Sequence, residues 1–266
     1  MSNCLQQAFH KNALIAYFTL GYPSVAFTWE ACKSLIDAGV DIIEIGLPFS
    51  DPIADGPIIQ MAHQHALSNG EDVSIDAAFE LLDTIKTYAP HVAVVFMGST
   101  NLFLQYGYEQ FFEQAKQRKC DGIIMPDSTV EMSLPLQTLS KQTDVAIIQL
   151  VSPLCSAERL EAIADVASGF IYVISSTGVT GERQQFADNL KPLVTKIKSK
   201  TSVPVAIGFG VSNATHCTDL CAFADGVIVG SHFTSLCQQH LPDESLVLKN
   251  LHARAVAFKT ACVNAV

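Results

Sequence analysis

Charged residues are scarce in this chain of 266 residues. Asp, Glu, Lys and Arg make up 16% of it, against about 25% in soluble domains. Acidic residues outnumber basic ones by 26 to 16, which gives a formal net charge of -10. An acidic chain repels a phosphate backbone, so nucleic-acid binding is not expected. Because 49% of the residues are hydrophobic, the chain has apolar surface to bury, in a large closed core or against a protein partner.

Targeting and metal-binding patterns are missing as well. No run approaches the ~18 apolar residues that a membrane span needs, and residues 1–7 carry no basic or apolar secretory signal. None of the eight cysteines stands in a C-x-x-C pair, and no second ligand pair accompanies Cys217 and Cys221. We therefore expect a cytoplasmic protein with reduced thiols and no metal site.

Short apolar runs alternate with amphipathic stretches along the chain. Eight runs are typical of buried parallel strands: 14–18, 41–45, 92–97, 122–125, 145–150, 170–174, 205–207 and 226–229. Helical spacing of apolar residues follows several of them, as in 24–39, 74–88 and 108–118. This alternation predicts an α/β fold, a single (β/α)₈ barrel domain that spans residues 1–266.

The alternative fold is an open doubly wound sheet. That fold requires a G-x-G-x-x-G turn after the first strand, and here the first run is followed by Thr19-Leu20-Gly21-Tyr22-Pro23. The barrel is therefore preferred, and it places the active site at the carboxyl ends of the strands.

Glu44 lies within the second apolar run, between Ile43 and Ile45. A carboxylate there is costly unless it is paired or functional. Strand alternation directs the Glu44 side chain away from Ile43 and Ile45, into the barrel or onto its helices. Burial would raise the pKa of Glu44 and suit it to proton transfer near neutrality. A structural carboxylate held by a buried partner is the other interpretation, and position alone leaves both open.

Three loops at the expected site carry further polar or glycine-rich patterns. Asp51 and Asp55 lie in the proline-rich loop 47–57; they are turn formers, or the second half of a two-carboxylate acid/base pair. Glycine-rich turns at 208–212 and 229–231 follow the last two runs. Each is ordinary turn chemistry alone, but together they indicate a phosphate-bearing ligand. The segment 175–181 is either a surface loop or one that closes over the site.

The chain resembles the tryptophan synthase α subunit family in five segments that occur in order along nearly its whole length. The most specific is 43–60, IEIGLPFSDPIADGPIIQ; the others are 19–23, 177–181, 208–212 and 229–231. The resemblance implies a retro-aldol cleavage of indole-3-glycerol phosphate to indole and glyceraldehyde 3-phosphate. It further implies that Glu44 is the acid/base that shuttles a proton between the glycerol hydroxyl and indole C3, and that Asp55 binds the indole N–H.

Other roles follow from the same resemblance. It implies a partner β subunit that carries pyridoxal phosphate, an αββα tetramer, and no cofactor in this chain. Partner contacts fall on Pro48, Asp51 and Asn101. Thr180 matches the closing-loop threonine that orients the aspartate. The residues that match substrate-binding positions are Tyr17, Tyr172, Thr180, Gly181, Gly208, Phe209, Gly210, Gly230 and Ser231.

Two loops depart from the family pattern. After the third run the chain has Met97-Gly98-Ser99-Thr100-Asn101-Leu102, without the expected aromatic residues and proline. The segment 127–132 is also altered, and Ile58 and His232 replace a threonine and a small residue. A second hypothesis is therefore a weak or inactive lyase that mainly activates the β subunit; a third is a different phosphate-binding barrel enzyme. On a helix, His63 and His65 would face different ways, so no metal site is expected there.

Overall fold

The computed structural model describes residues 3–174, 183–208 and 210–265. The segment 175–181, which carries the predicted site residues Thr180 and Gly181, lies outside these ranges, and so does Phe209. The strands are β1 Ala13–Thr19, β2 Ile42–Gly46, β3 Ala93–Met97, β4 Gly122–Ile124, β5 Ala146–Val151, β6 Ile171–Ile174, β7 Val205–Gly208 and β8 Gly226–Val229. They match the eight predicted apolar runs to within a few residues.

The strands form one closed parallel barrel in chain order. Each strand pairs with the next, and β1 closes the ring by pairing with β8, with Ala13 opposite Gly226. Closure removes both edges of the sheet. The (β/α)₈ barrel is thereby confirmed and the open doubly wound sheet is excluded.

Helices cover the outside of the barrel and close its amino end. The described ones are α1 Asn3–Ala8, α2 Val25–Asp37, α3 Pro57–Ser68, α4 Ile75–Tyr88, α5 Thr100–Tyr106, α6 Tyr108–Gln117, α7 Val130–Ser133, α8 Gln137–Thr143, α9 Ala157–Val166, α10 Arg183–Lys198, α11 Ala214–Cys221, α12 Ser231–His240 and α13 Glu244–Val263. The patterns at 24–39, 74–88 and 108–118 correspond to α2, α4 and α6. None of the described helices is both long and apolar enough to cross a membrane.

The helix α3 was not predicted, and it follows directly from the loop that carries Asp55. Pro57 occupies its first turn and Gly56 its N-cap position. Proline suits the first turn because its missing N–H would have no partner there. The buried face of α3 consists of Ile59, Ala62, His63 and Ala66.

Strand alternation divides the apolar residues into two layers. In β2, Ile43 and Ile45 belong to the layer between barrel and helices, whereas Ile42 belongs to the barrel interior. Leu5 of α1 also belongs to the interior layer and is fully buried. The interior is therefore a packed core, as expected of an eight-stranded barrel.

An aspartate stands directly before β2, β4 and β8 at the amino end of the barrel. Each side chain accepts a hydrogen bond from a backbone N–H of the preceding strand in the barrel order. The pairs are Leu14 N to Asp41 (2.7 Å), Val94 N to Asp121 (2.8 Å) and Val205 N to Asp225 (2.8 Å). These bonds hold adjacent strands in register at the end opposite the expected site.

A lysine from the surrounding helices pairs with each of these aspartates: Lys259 with Asp41, Lys86 with Asp121 and Lys198 with Asp225. The Lys86–Asp121 pair is the most enclosed, with side-chain exposures of 9% and 3% and an N–O distance of 2.6 Å. Loss of one partner from such a pair leaves a buried charge without compensation.

Asp121→Ala is therefore expected to lower the free energy of unfolding by about 3–5 kcal/mol, measured by urea denaturation. The control is Glu161→Ala, which breaks the exposed Lys200–Glu161 pair and should leave the free energy of unfolding almost unchanged. Similar losses in the two variants would contradict the structural role given to Asp121.

Candidate active site

Glu44 points into the barrel and is fully buried. Neither carboxylate oxygen has a hydrogen-bond partner among the described residues. Burial, and to a lesser extent the charge of Asp55, raise the pKa of Glu44 from its usual 4.5 to about 8. No buried partner that would hold a purely structural carboxylate lies within the described ranges, so the functional interpretation gains support.

Two tyrosines lie beside Glu44 in the barrel interior. Tyr17 on β1 is opposite Glu44 in the strand register, and Tyr172 projects inward from β6. Burial raises the pKa of both phenols well above their usual 10, and the charges of Glu44 and Asp55 add to this. Both tyrosines therefore keep their hydroxyl protons at neutral pH and can act as hydrogen-bond donors.

Glycines on neighbouring strands make room for these rings. A Cβ on Gly46 would collide with the hydroxyl of Tyr17, and a Cβ on Gly208 would collide with that of Tyr172. Gly208, predicted to contact substrate, thus serves in the structure to admit Tyr172. The absence of side chains at these positions is what allows two phenols to lie across the carboxyl end of the barrel.

Asp55 reaches the site from the loop between β2 and α3. Its backbone carbonyl accepts a hydrogen bond from Gln60 Nε2 (2.8 Å), which ties the end of the loop to α3. Its carboxylate Oδ2 lies 3.3 Å from His63 Nε2, and both side chains are almost fully enclosed. The structure therefore brings Asp55 close to the tyrosines and Glu44, as the charge effects on their pKa values also indicate.

Two adjoining cavities open at this end of the barrel, and Tyr17, Asp55 and Met97 line both of them. The first lies under the β2–α3 loop and has mainly apolar walls, including Leu47 and Phe49. The second has a volume of about 220 Å³ and extends to the turns after β7 and β8. Glu44 lines neither cavity, so its carboxyl group lies beneath their walls in this structure.

The far end of the larger cavity is suited to an anion. Gly210, Gly230 and Ser231 line it, together with Tyr172. Gly230 is the N-cap residue of α12, and glycine has no side chain to satisfy the first N–H groups of the helix. These donors and the helix dipole favour a negatively charged group. Gly210 has a φ of 83°, a conformation that favours glycine.

The residues predicted to contact a partner are in part exposed. Asp51 and Asn101 are exposed, but Pro48 is buried and presents no side chain to solvent. Sequence position alone gave no indication of this, because the same loop carries the exposed Ser50 and Asp51. A partner contact at Pro48 stays a prediction.

The altered loops after β3 and β4 are fastened to each other. Asp127 accepts hydrogen bonds from Ser99 Oγ (2.7 Å), Thr100 N (2.8 Å) and Thr100 Oγ1 (2.7 Å). Burial raises the pKa of Asp127, but these bonds outweigh burial and lower it below its usual value. Gly98 packs closely against Leu47. A Cβ at position 98 would lie 3.0 Å from Leu47 Cδ1, so the Leu47 side chain would have to shift slightly to admit it. Hydrogen bonds to the ionised Asp127 thus restrain both loops, in place of the aromatic residues and proline expected after β3.

Analysis of the sequence missed His63 as a site residue. The structure places it on the buried face of α3 while His65 is exposed, so the two face different ways, as predicted. A helical register through Ile59, Ala62 and Ala66 would have indicated that His63 faces inward. Within the described ranges, no group of three or more His, Cys, Asp or Glu side chains could hold a metal ion, and every cysteine is a free thiol.

A family model described as tryptophan synthase alpha chain matches residues 2–263. The chain belongs to the tryptophan synthase alpha chain family. A protein of that name from Petrotoga mobilis is 38% identical over 242 residues, which cover 91% of this chain and 93% of the relative.

Two further members illustrate the extent of the likeness. A Saccharomyces cerevisiae protein named tryptophan synthase is 38% identical over 244 residues, but the match covers only 34% of that longer protein and 89% of this chain. The crystal structure of tryptophan synthase subunit alpha from Legionella pneumophila str. Paris has a TM-score of 0.88 at 27% identity, and the match covers 99% of this chain and 100% of that one. The predicted family is thereby confirmed.

The burial of Glu44 in this tryptophan synthase alpha family barrel predicts a pH dependence of stability. The pKa of Glu44 in the folded chain is raised to about 8. Its contribution to the free energy of unfolding is therefore fully present below the unfolded-state pKa and is lost as pH rises toward 8. Relative to Glu44→Gln, the wild-type free energy of unfolding should fall by several kcal/mol between about pH 5 and pH 8, at about 1.4 kcal/mol per pKa unit. Above pH 8 it should level off.

Urea denaturation of both proteins at stepped pH checks this expectation. The Gln variant serves as the matched reference because it keeps the shape of the side chain and does not titrate. Parallel stability curves for the two proteins would show that Glu44 titrates as an ordinary carboxyl group.

Proposed function

We propose that the chain cleaves indole-3-glycerol phosphate to indole and glyceraldehyde 3-phosphate. The observation that carries the proposal is Glu44: a fully buried carboxyl without hydrogen-bond partners among the described residues, with its pKa raised to about 8. At neutral pH this group is mostly protonated, so it can donate a proton and take one back near the operating pH.

The proposed reaction moves one proton and breaks one carbon–carbon bond. Glu44 donates its proton to indole C3, which leaves an indolenine with positive charge at its nitrogen. The Asp55 carboxylate binds the N–H and stabilises that charge. The Glu44 carboxylate then accepts the proton of the glycerol hydroxyl as the bond to C3 breaks. The bonding electrons return to the ring, which gives indole and an aldehyde, and Glu44 ends protonated as it began.

The two cavities correspond to the two ends of such a substrate. Tyr17 and Met97, which line both cavities where they adjoin, are suited to contact the indole ring, and Tyr172 is a further aromatic neighbour in the larger cavity. Gly210 after β7, together with Gly230 and Ser231 at the start of α12, is suited to contact the phosphate. By resemblance to the family, Thr180, Gly181 and Phe209 belong to the same substrate site, and Gly208 contributes the space that Tyr172 occupies.

A partner β subunit is the proposed recipient of indole. Five of the nine large apolar side chains exposed in the described chain follow the carboxyl ends of β2 to β5: Ile53, Leu104, Met132, Leu134 and Leu154. All five therefore belong to connections at the carboxyl end of the barrel, and an exposed apolar patch is typical of a protein interface. Asp51 lies in the same loop as Ile53, Asn101 lies on α5 with Leu104, and both are exposed. We propose that this face binds a pyridoxal-phosphate-dependent β subunit, in an αββα tetramer in the cytoplasm.

The tie between Asp127 and residues 99–100 favours an active lyase over a purely activating subunit. Catalysis depends on positioning to well under an ångström, and hydrogen bonds to an ionised carboxylate restrict both altered loops. Indole release from indole-3-glycerol phosphate, measured with the purified chain alone and with its β subunit, distinguishes the two functions. Release stimulated by the β subunit is expected; no release, with the β reaction still activated, would establish the activating role.

Glu44→Gln should lower this indole release by about 10²–10⁴-fold, because the amide can neither donate nor accept the proton. The variant should remain folded, since it keeps the size of the side chain and removes a buried ionisable group. The matched control is Glu80→Gln, an exposed position on α4, which should turn over at the wild-type rate. Activity retained in Glu44→Gln would remove Glu44 from the mechanism.

A further inference from the structure

His63 contacts three parts of the candidate site at once. The backbone N–H of Phe49 donates to its Nδ1 (3.1 Å). Its Nε2 lies 3.1 Å from the hydroxyl oxygen of Tyr17 and 3.3 Å from Asp55 Oδ2. The side chain is 4% exposed, so water competes little for these contacts.

The Phe49 contact fixes the tautomer of the imidazole. A backbone N–H can only donate, so Nδ1 must accept and carries no proton. In the neutral ring the proton is then on Nε2, directed toward Tyr17 and Asp55. Nε2–H donates to the Tyr17 oxygen, which leaves the phenol proton free to donate to Thr19 Oγ1 at 3.2 Å. The same Nε2–H dipole attracts the Asp55 carboxylate.

The ring also joins the two ends of the loop that carries Asp55. Phe49 near the start of this loop is held by Nδ1, and Asp55 near its end lies against Nε2. The intervening residues Asp51 and Ile53 are exposed, so most of the loop has few contacts of its own. His63, on the regular helix α3, therefore provides a fixed point for a carboxylate on an irregular segment.

We infer that His63 is a positioning residue for the reaction: its Nε2–H sets the place of the Asp55 carboxylate relative to Tyr17, while its Nδ1 holds the loop at Phe49. The inference rests on the proposed function, because the role of Asp55 toward the indole N–H comes from it. His63 itself does not exchange protons with the substrate.

Two substitutions separate the two halves of the ring. In His63→Gln the side-chain amide nitrogen replaces the Nε2 donor, whereas in His63→Asn the amide oxygen replaces the Nδ1 acceptor and no group reaches Asp55. We expect kcat for indole release to fall about 10- to 100-fold in His63→Asn with a smaller change in KM, because the contact matters most when the indole nitrogen becomes charged. His63→Gln should recover most of that kcat.

His65→Asn is the matched control on the same helix, since His65 is exposed and its ring contacts Tyr22 and the carbonyl of Pro23. It should leave kcat and KM unchanged. In an Asp55→Asn background, His63→Asn should cause little further loss, because its effect passes through Asp55. Equal kcat in the Gln and Asn variants, or full additivity with Asp55→Asn, would overturn the positioning role.

Nitrogen NMR of the ¹⁵N-histidine-labelled wild-type chain tests the inference without turnover. A protonated Nε2 and an unprotonated Nδ1 are expected for His63, assigned by the signals lost in His63→Gln. The opposite tautomer would overturn the inference even in an active enzyme. An inactive wild-type chain that gives the expected tautomer would instead count against the proposed function, so the two failures are distinguishable.

Discussion

The cost of placing a carboxyl group in an apolar barrel interior governs this structure. Glu44 is surrounded by strands whose inward residues are almost all hydrophobic, and its oxygens have no hydrogen-bond partner among the described residues. Desolvation therefore favours the protonated form and raises the pKa to about 8. The barrel tolerates this cost because the rest of its core is tightly packed and its strands are held in register by the aspartates at the opposite end.

The two carboxyl groups of the site have contrasting surroundings. Glu44 is buried on a strand without partners, while Asp55 lies on a loop, beside the His63 imidazole and at the wall of both cavities. Different environments assign different roles to chemically similar groups. Here they favour proton transfer by Glu44 and charge stabilisation by Asp55. Gly46 and Gly208 leave the space that the Tyr17 and Tyr172 rings occupy in the same site.

The fold was predictable because its strands are short apolar runs at regular spacing. Strand alternation predicted that Glu44 faces away from Ile43 and Ile45, but it did not decide between the barrel interior and the helix layer, which the structure does. Side-chain contacts between distant segments were not predictable in the same way. In the sequence, Asp127 is one residue of an altered loop, and only the structure shows its hydrogen bonds with Ser99 and Thr100. His63 reads as an isolated histidine, because the loop that brings Phe49 and Asp55 to it has no sequence periodicity. The burial of Pro48 was not predictable for the same reason.

The most direct test of the account is a titration of the Glu44 carboxyl group itself. Infrared difference spectra of the wild-type chain against Glu44→Gln, recorded at stepped pH, isolate the carbonyl band of this side chain. A band that persists at neutral pH and disappears near pH 8 is predicted from its burial. A band that disappears near the usual 4.5 would contradict the account, since Glu44 would then hold no proton to donate at neutral pH.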